Sequence, residues 1–268
     1  MSSYVTDGSA LERARPLSFR ARSAVRGAAL SVLSRVPRTP GPGVRIVHYH
    51  YVFDDERERF AQQLQFLGRE FTPVSLTEAV ERLQLGRMEG DEIVVTFDDG
   101  FQNHLDNAAP LLAEHGFSAC FFLVTDLLDA SPERARRIER ERLHLPLPVE
   151  PLDWEGAERL LALGHEVGSH TISHPDLTSL PPDELQRELE ISREELSRRL
   201  GTVRHVSAPY GERGRFSERV AAAARDAGYE SCATAIRGRN TSALDLYALR
   251  RHHLSARWPL RDVEYFLT

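Results

Sequence analysis

From Val44 onward the chain alternates short apolar runs with amphipathic stretches of helical period, and no other feature narrows the fold as much. Runs at 44–49, 92–97, 118–124, 165–169, 204–208, 229–235 and 247–252 read as strands. Helical patterns occupy 56–69, 76–85, 102–115, 154–163, 183–200 and 216–227 between them. The boundaries are punctuated accordingly: Pro181-Pro182-Asp183 precedes one helix, and Gly116, Gly164, Gly201 and Gly228 stand just past others. Strands alternating with helices imply an α/β fold on a parallel sheet, closed or open. At 268 residues and 41% hydrophobic, the stretch 44–268 is enough for one large domain of this class.

In such folds functional side chains gather at the carboxyl ends of the strands. Asp98 and Asp99 follow the run Ile93-Val94-Val95-Thr96-Phe97, His170 and His174 follow another strand, the loop Ser207-Ala208-Pro209-Tyr210-Gly211 a third, and His50 the first. Two adjacent carboxylates at the end of an apolar strand repel unless a cation or a shared proton intervenes. Imidazoles with one carboxylate and an open position suit a catalytic Zn²⁺, with Co²⁺, Ni²⁺ or Mn²⁺ as alternatives. His170 and His174 are spaced so that a helical turn or tight loop puts both rings on one side, although a His-x-x-x-His pair alone is weak. A metal there lowers the pKa of a water and polarises a carbonyl, the spare carboxylate accepts the water's proton, and an acid protonates a leaving amine. That is an amide hydrolase in outline.

Thr96-Phe97-Asp98-Asp99-Gly100, His170-Thr171-Ile172-Ser173-His174 and Ala208-Pro209-Tyr210-Gly211 resemble the first three motifs of the polysaccharide deacetylase family, also called the NodB homology domain or carbohydrate esterase family 4. The likeness runs from about Val44 to Leu254. It implies a distorted (β/α)7 barrel that removes N-acetyl groups from N-acetylated carbohydrates. It also implies that Asp99, His170 and His174 bind the metal, that Asp98 is the base, and that the loop Pro209-Tyr210 gives a backbone N–H to the oxyanion.

The sequence departs from the family pattern twice. Where many members carry an arginine that orients the aspartate, this chain has Ser207, so support for Asp98 is expected from Arg250 or Arg251. The late Leu-x-x-His motif has no clean counterpart; Leu249-Arg250-Arg251-His252-His253-Leu254 is nearest. His48-Tyr49-His50 is similar to the Met-Tyr-His that opens the branch acting on poly-N-acetylglucosamine. On that likeness His50 is the acid, with His252 or His253 as the fallback, and His48 by alternation faces the barrel interior or a helix. Two alternatives remain: hydrolysis of a small acetylated metabolite, and a non-catalytic carbohydrate-binding protein, the latter motivated by Ser207.

Other features exclude or leave open. The chain has no lysine, which rules out a Schiff-base or P-loop lysine. A net charge of -6 without a basic stripe gives no reason to expect nucleic acid. Cys120 and Cys232 sit in apolar runs and read as buried, inert thiols. Residues 1–43 form a separate basic segment ending in Pro37-Arg38-Thr39-Pro40-Gly41-Pro42-Gly43; residues 15–36 have helical spacing for packing on the domain's flank, or for contact with a membrane surface or a partner. No stretch is long enough to span a bilayer and no export signal is read, so a cytoplasmic protein, with peripheral membrane contact as the variant, is expected. The stretch from Asp129 to Asp153 breaks the alternation with a charge run and then prolines, which reads as solvated helix or as a lid over the site. Trp154 and Trp258 read as packing residues or sugar-stacking platforms, with packing favoured for Trp154.

Overall fold

The structure is a computed structural model and describes residues 4–18 and 42–267. Its strands are β1 (Gly43–Tyr49), β2 (Thr72–Pro73), β3 (Asp91–Phe97), β4 (Ala119–Leu123), β5 (Glu166–Ser169), β6 (His205–Ser207), β7 (Ser231–Ala233) and β8 (Arg251–His253). Its helices are α1 (Gly8–Ala14), α2 (Arg57–Glu70), α3 (Leu76–Leu85), α4 (Ala109–Glu114), α5 (Pro132–Glu141), α6 (Trp154–Ala162), α7 (Pro182–Leu200), α8 (Glu218–Asp226) and α9 (Leu260–Leu267). The strands pair in parallel in the order β7-β6-β5-β4-β3-β1-β8, with β2 beside the start of β3. Thr234 N–H donates to the Leu249 carbonyl at 2.8 Å and Leu249 N–H to that of Cys232 at 3.0 Å, so the open edge between β7 and β8 is nearly sealed. The result is an α/β barrel of the distorted (β/α)7 kind.

Two apolar layers follow from the period-2 alternation of strand side chains. Val47, Tyr49, Ile93, Val95, Phe97, Phe121 and Leu123 pack outward beneath the helices, together with Phe60, Leu64 and Leu189. Val44, Ile46, Val94, Cys120, Phe122, Ala233 and Leu249 fill the barrel itself. Both cysteines are free and buried. Gly168 is required in the interior because a Cβ there would lie 2.5 Å from the Phe122 ring and 3.0 Å from the His205 carbonyl. Carried upward, the interior rows replace hydrocarbon with His48, Thr96, Asp98, Ser207 and Arg251, all buried. The functional layer is thus the top course of the barrel core.

Several segments differ from the sequence reading. The strand drawn over 247–252 begins late: Leu246–Ala248 is a 3-10 turn, Leu249 makes only a bridge, and regular pairing starts at Arg251. The helix drawn over 102–115 opens as a π turn at His104–Ala108. The charge run does form a helix, α5, but Ala135 and Ile138 are buried against Val124 and Leu127. Before the barrel, α1 is capped by Asp7, and Gly8 and Ser9 donate to the Asp55 carboxylate. Leu11 packs with Phe53, Phe101, Leu145 and Val149. The amphipathic pattern over 15–36 lies almost entirely outside the described residues.

Candidate active site and metal centre

Asp98 is the last interior residue of the β3 row, and β8 supplies its partner. The Arg251 guanidinium donates to both carboxylate oxygens at 2.7 Å and also to Ser207 Oγ at 2.8 Å and the Thr234 carbonyl at 2.7 Å. This forked pairing suits arginine. Burial alone raises the Asp98 carboxyl, but the Arg251 charge overrides it and holds the group well below the usual carboxylate range. Arg250, the other candidate, lies elsewhere: its backbone N–H donates to Asn240 Oδ1, and its side chain lies against Gly238.

Asp99 is turned away from Asp98 by a positive φ of 78°. Thr171, His174 and Tyr210 also have positive φ, at 67°, 55° and 61°, so four of the six such non-glycine residues among those described stand at this site. The turn brings Asp99 Oδ1 to 3.6 Å from His170 Nε2 and 3.6 Å from His174 Nε2. His170 Nδ1 donates to the Ser207 carbonyl at 2.7 Å, which leaves Nε2 with its lone pair facing Asp99. Glu188 on α7 fastens the histidine loop, accepting from Ile172 N–H at 2.9 Å, Ser173 N–H at 3.0 Å and Ser173 Oγ at 2.7 Å.

These residues fit a divalent ion. Asp99 Oδ1 is buried and has no hydrogen-bond partner among the described residues, and burial together with the Asp98 charge pushes the Asp99 carboxyl well above its ordinary value. A cation between Asp99 and the two imidazoles removes both penalties at once.

A cavity of about 810 Å³ opens over this layer. His50, half-buried, faces it, and burial lowers its ring to about 4. His104, in the π turn, donates from Nε2 to the His50 carbonyl at 2.9 Å. His253 also lines the cavity. His252, one residue back and so on the opposite pleat, is buried on the helix side and is not brought to the site. Tyr210 lines the cavity, its ring 4.9 Å from that of His174. Its loop is pinned by Gly211 N–H to the Pro209 carbonyl at 2.7 Å and Ala235 N–H to the Gly211 carbonyl at 2.9 Å. The Tyr210 hydroxyl donates to the Arg142 carbonyl, and Leu143 and Leu145 reach the cavity, so the 129–153 stretch forms part of its wall. Trp258 lines the cavity, whereas Trp154 sits under the Arg199 guanidinium, away from it. The sequence reading did not single out Glu188, His104, or Leu11, Glu12 and Arg15 of the amino-terminal segment, which also line the cavity.

A family model described as polysaccharide deacetylase matches residues 86–232, more than half of the chain. The chain belongs to the polysaccharide deacetylase family. The match holds Asp98, Asp99, His170, His174 and Tyr210, but not His50 or Arg251. The peptidoglycan-N-acetylmuramic acid deacetylase PdaA of Bacillus subtilis is 27% identical over 158 residues, 59% of this chain and 51% of its own. The Streptococcus pyogenes deacetylase PplD, solved in complex with acetate, superposes with a TM-score of 0.69 at 20% identity, covering 86% of this chain and 100% of that one. IcaB of Ammonifex degensii gives 0.69 at 22% identity, covering 85% and 98%. These two structures share the fold of this chain. The chain spans about half the length of the curated relatives it matches. No helix of the described residues is long and apolar enough to cross a membrane.

Proposed function

We propose that this member of the polysaccharide deacetylase family removes N-acetyl groups from N-acetylated sugars, with a divalent ion, Zn²⁺ first, held by Asp99, His170 and His174. The reading is carried by one observation: two adjacent buried carboxylates with opposite surroundings, Asp98 locked to Arg251 and Asp99 facing two imidazoles with no hydrogen bond to its Oδ1 among the described residues. The ion, when bound, supplies a Lewis acid for the acyl oxygen and for water.

The remaining work belongs to the chain. Asp98, kept ionised by Arg251, accepts the proton of the attacking water. The Tyr210 backbone N–H, on a loop fixed at both ends, donates to the developing oxyanion. His50 acts in its imidazolium form, giving its ring proton to the leaving nitrogen and returning to the neutral ring, its backbone held by His104. The non-catalytic alternative rested on Ser207, and Arg251 supplies from β8 the guanidinium missing at that position.

The test is acetate release from N-acetylglucosamine oligomers. Release abolished by a chelator and restored by Zn²⁺ or Co²⁺ is expected. A metal-loaded protein that releases no acetate from oligomers of any length contradicts the proposal.

A further inference from the structure

Beside the Asp98 layer, the cavity carries a second group of metal-binding side chains. β1 and β8 run in parallel with His48 opposite His253, and His50 follows β1 at the same rim. One ring nitrogen from each of the three lies within 4.8 Å of the other two. The ring centroids are 5.1 Å apart for His48 and His253, 5.4 Å for His50 and His253, and 5.6 Å for His48 and His50. His48 is 3% exposed, and its Nδ1 has no hydrogen-bond partner among the described residues.

We propose that His48, His50 and His253 form a second, inhibitory site for a divalent transition metal, distinct from the Asp99 centre. Three imidazoles without a carboxylate select Zn²⁺, Cu²⁺ or Ni²⁺ over Mg²⁺ or Ca²⁺. Nitrogens bound to one zinc lie about 2.0–2.1 Å from it, so the group has to contract. His253, exposed at the rim, is the least enclosed of the three rings. The Arg251 guanidinium below this group is paired with both oxygens of Asp98. Inhibition follows because an imidazole nitrogen whose lone pair holds a metal has no proton to give. That consequence rests on the role of His50 proposed above; the site itself does not.

The test is the zinc content of the chelator-stripped full chain, dialysed against rising Zn²⁺ and read by elemental analysis. The wild type is expected to bind two zinc ions per chain, H48M and H253Q one each, and H174A to keep the weaker ion while losing the tighter one. His253 is exposed, so H253Q does not threaten the fold, and the zinc retained at Asp99 reports a folded site in both variants. Excess zinc is expected to suppress acetate release in the wild type and not in H253Q. One zinc per chain at saturation in the wild type, or two in both H48M and H253Q, overturns the site. Two zinc ions bound with no loss of activity overturn its inhibitory role. A protein that never releases acetate bears on the deacetylase reading alone, because the zinc count does not need turnover.

Discussion

Asp98 and Asp99 are identical side chains, one bond apart in the backbone, made unlike by what surrounds them. Arg251 cancels the charge of one; Oδ1 of the other has no hydrogen-bond partner among the described residues. Removing the arginine therefore strikes at Asp98 first. R251M leaves a buried carboxylate without its partner, a loss of about 3–5 kcal/mol in stability that denaturant unfolding measures. The Asp98 carboxyl is depressed in the folded state, so the pair stabilises above the unfolded carboxylate value and that contribution is lost as pH falls through the folded one. In R251M the acid limb of the kcat/KM profile is expected to move to higher pH, and R251K to restore it only in part, since an ammonium cannot fork. Adjacency, spacing and the likeness to the family made Asp98, Asp99, His170 and His174 legible. The choice of Arg251 over Arg250, and the exclusion of His252, were not, because neighbouring β8 residues point to opposite faces and the start of the strand was misplaced.

At the scale of elements, the site depends on parts that carry no metal ligand. Glu188 projects from α7 to collect three donors of the loop between His170 and His174, and so holds both imidazoles in register with Asp99. E188A is expected to weaken zinc binding about 10–100-fold, measured by chelator competition, while leaving the ligands themselves intact. Gly168 on β5 makes room for Phe122 inside the barrel. G168A overpacks that contact and is expected to cost about 1–3 kcal/mol, seen as a lower Tm. The alternation of strands and helices was plain in the sequence, yet β6 and β7 came out shorter than drawn, and β8 begins late because Leu246–Ala248 forms a 3-10 turn. Helix α9 was missed: it is short and follows Trp258-Pro259, and only its packing of Val263, Phe266 and Leu267 onto the core marks it as an element.

Seven of the eleven histidines are buried. Burial holds His205 at about 3 and His104 and His252 at about 4, each below the unfolded value. Below about pH 6.5 the unfolded chain binds protons at these positions that the folded chain refuses, so their stabilising effect is complete above that pH and drains as pH falls. Glu56 and Glu139, raised to about 7 by burial, act in the opposite sense between their unfolded value and neutrality. A difference measurement isolates one group: H205Q is expected to flatten the dependence of stability on pH by about 1.4 kcal/mol per unit between pH 6 and pH 4. A slope equal to that of the wild type counts against a neutral buried His205. Such burial follows from closure of the barrel, which no local pattern in the sequence reveals. The same closure places β1, β3, β5, β6 and β8 around one cavity and gives two like carboxylates separate tasks. The most direct test of that division is metal content read beside turnover in D98N and D99N. D98N is expected to keep its zinc and lose about 10²–10⁴-fold in turnover, while D99N loses the zinc itself; equal loss of zinc in both variants contradicts the account.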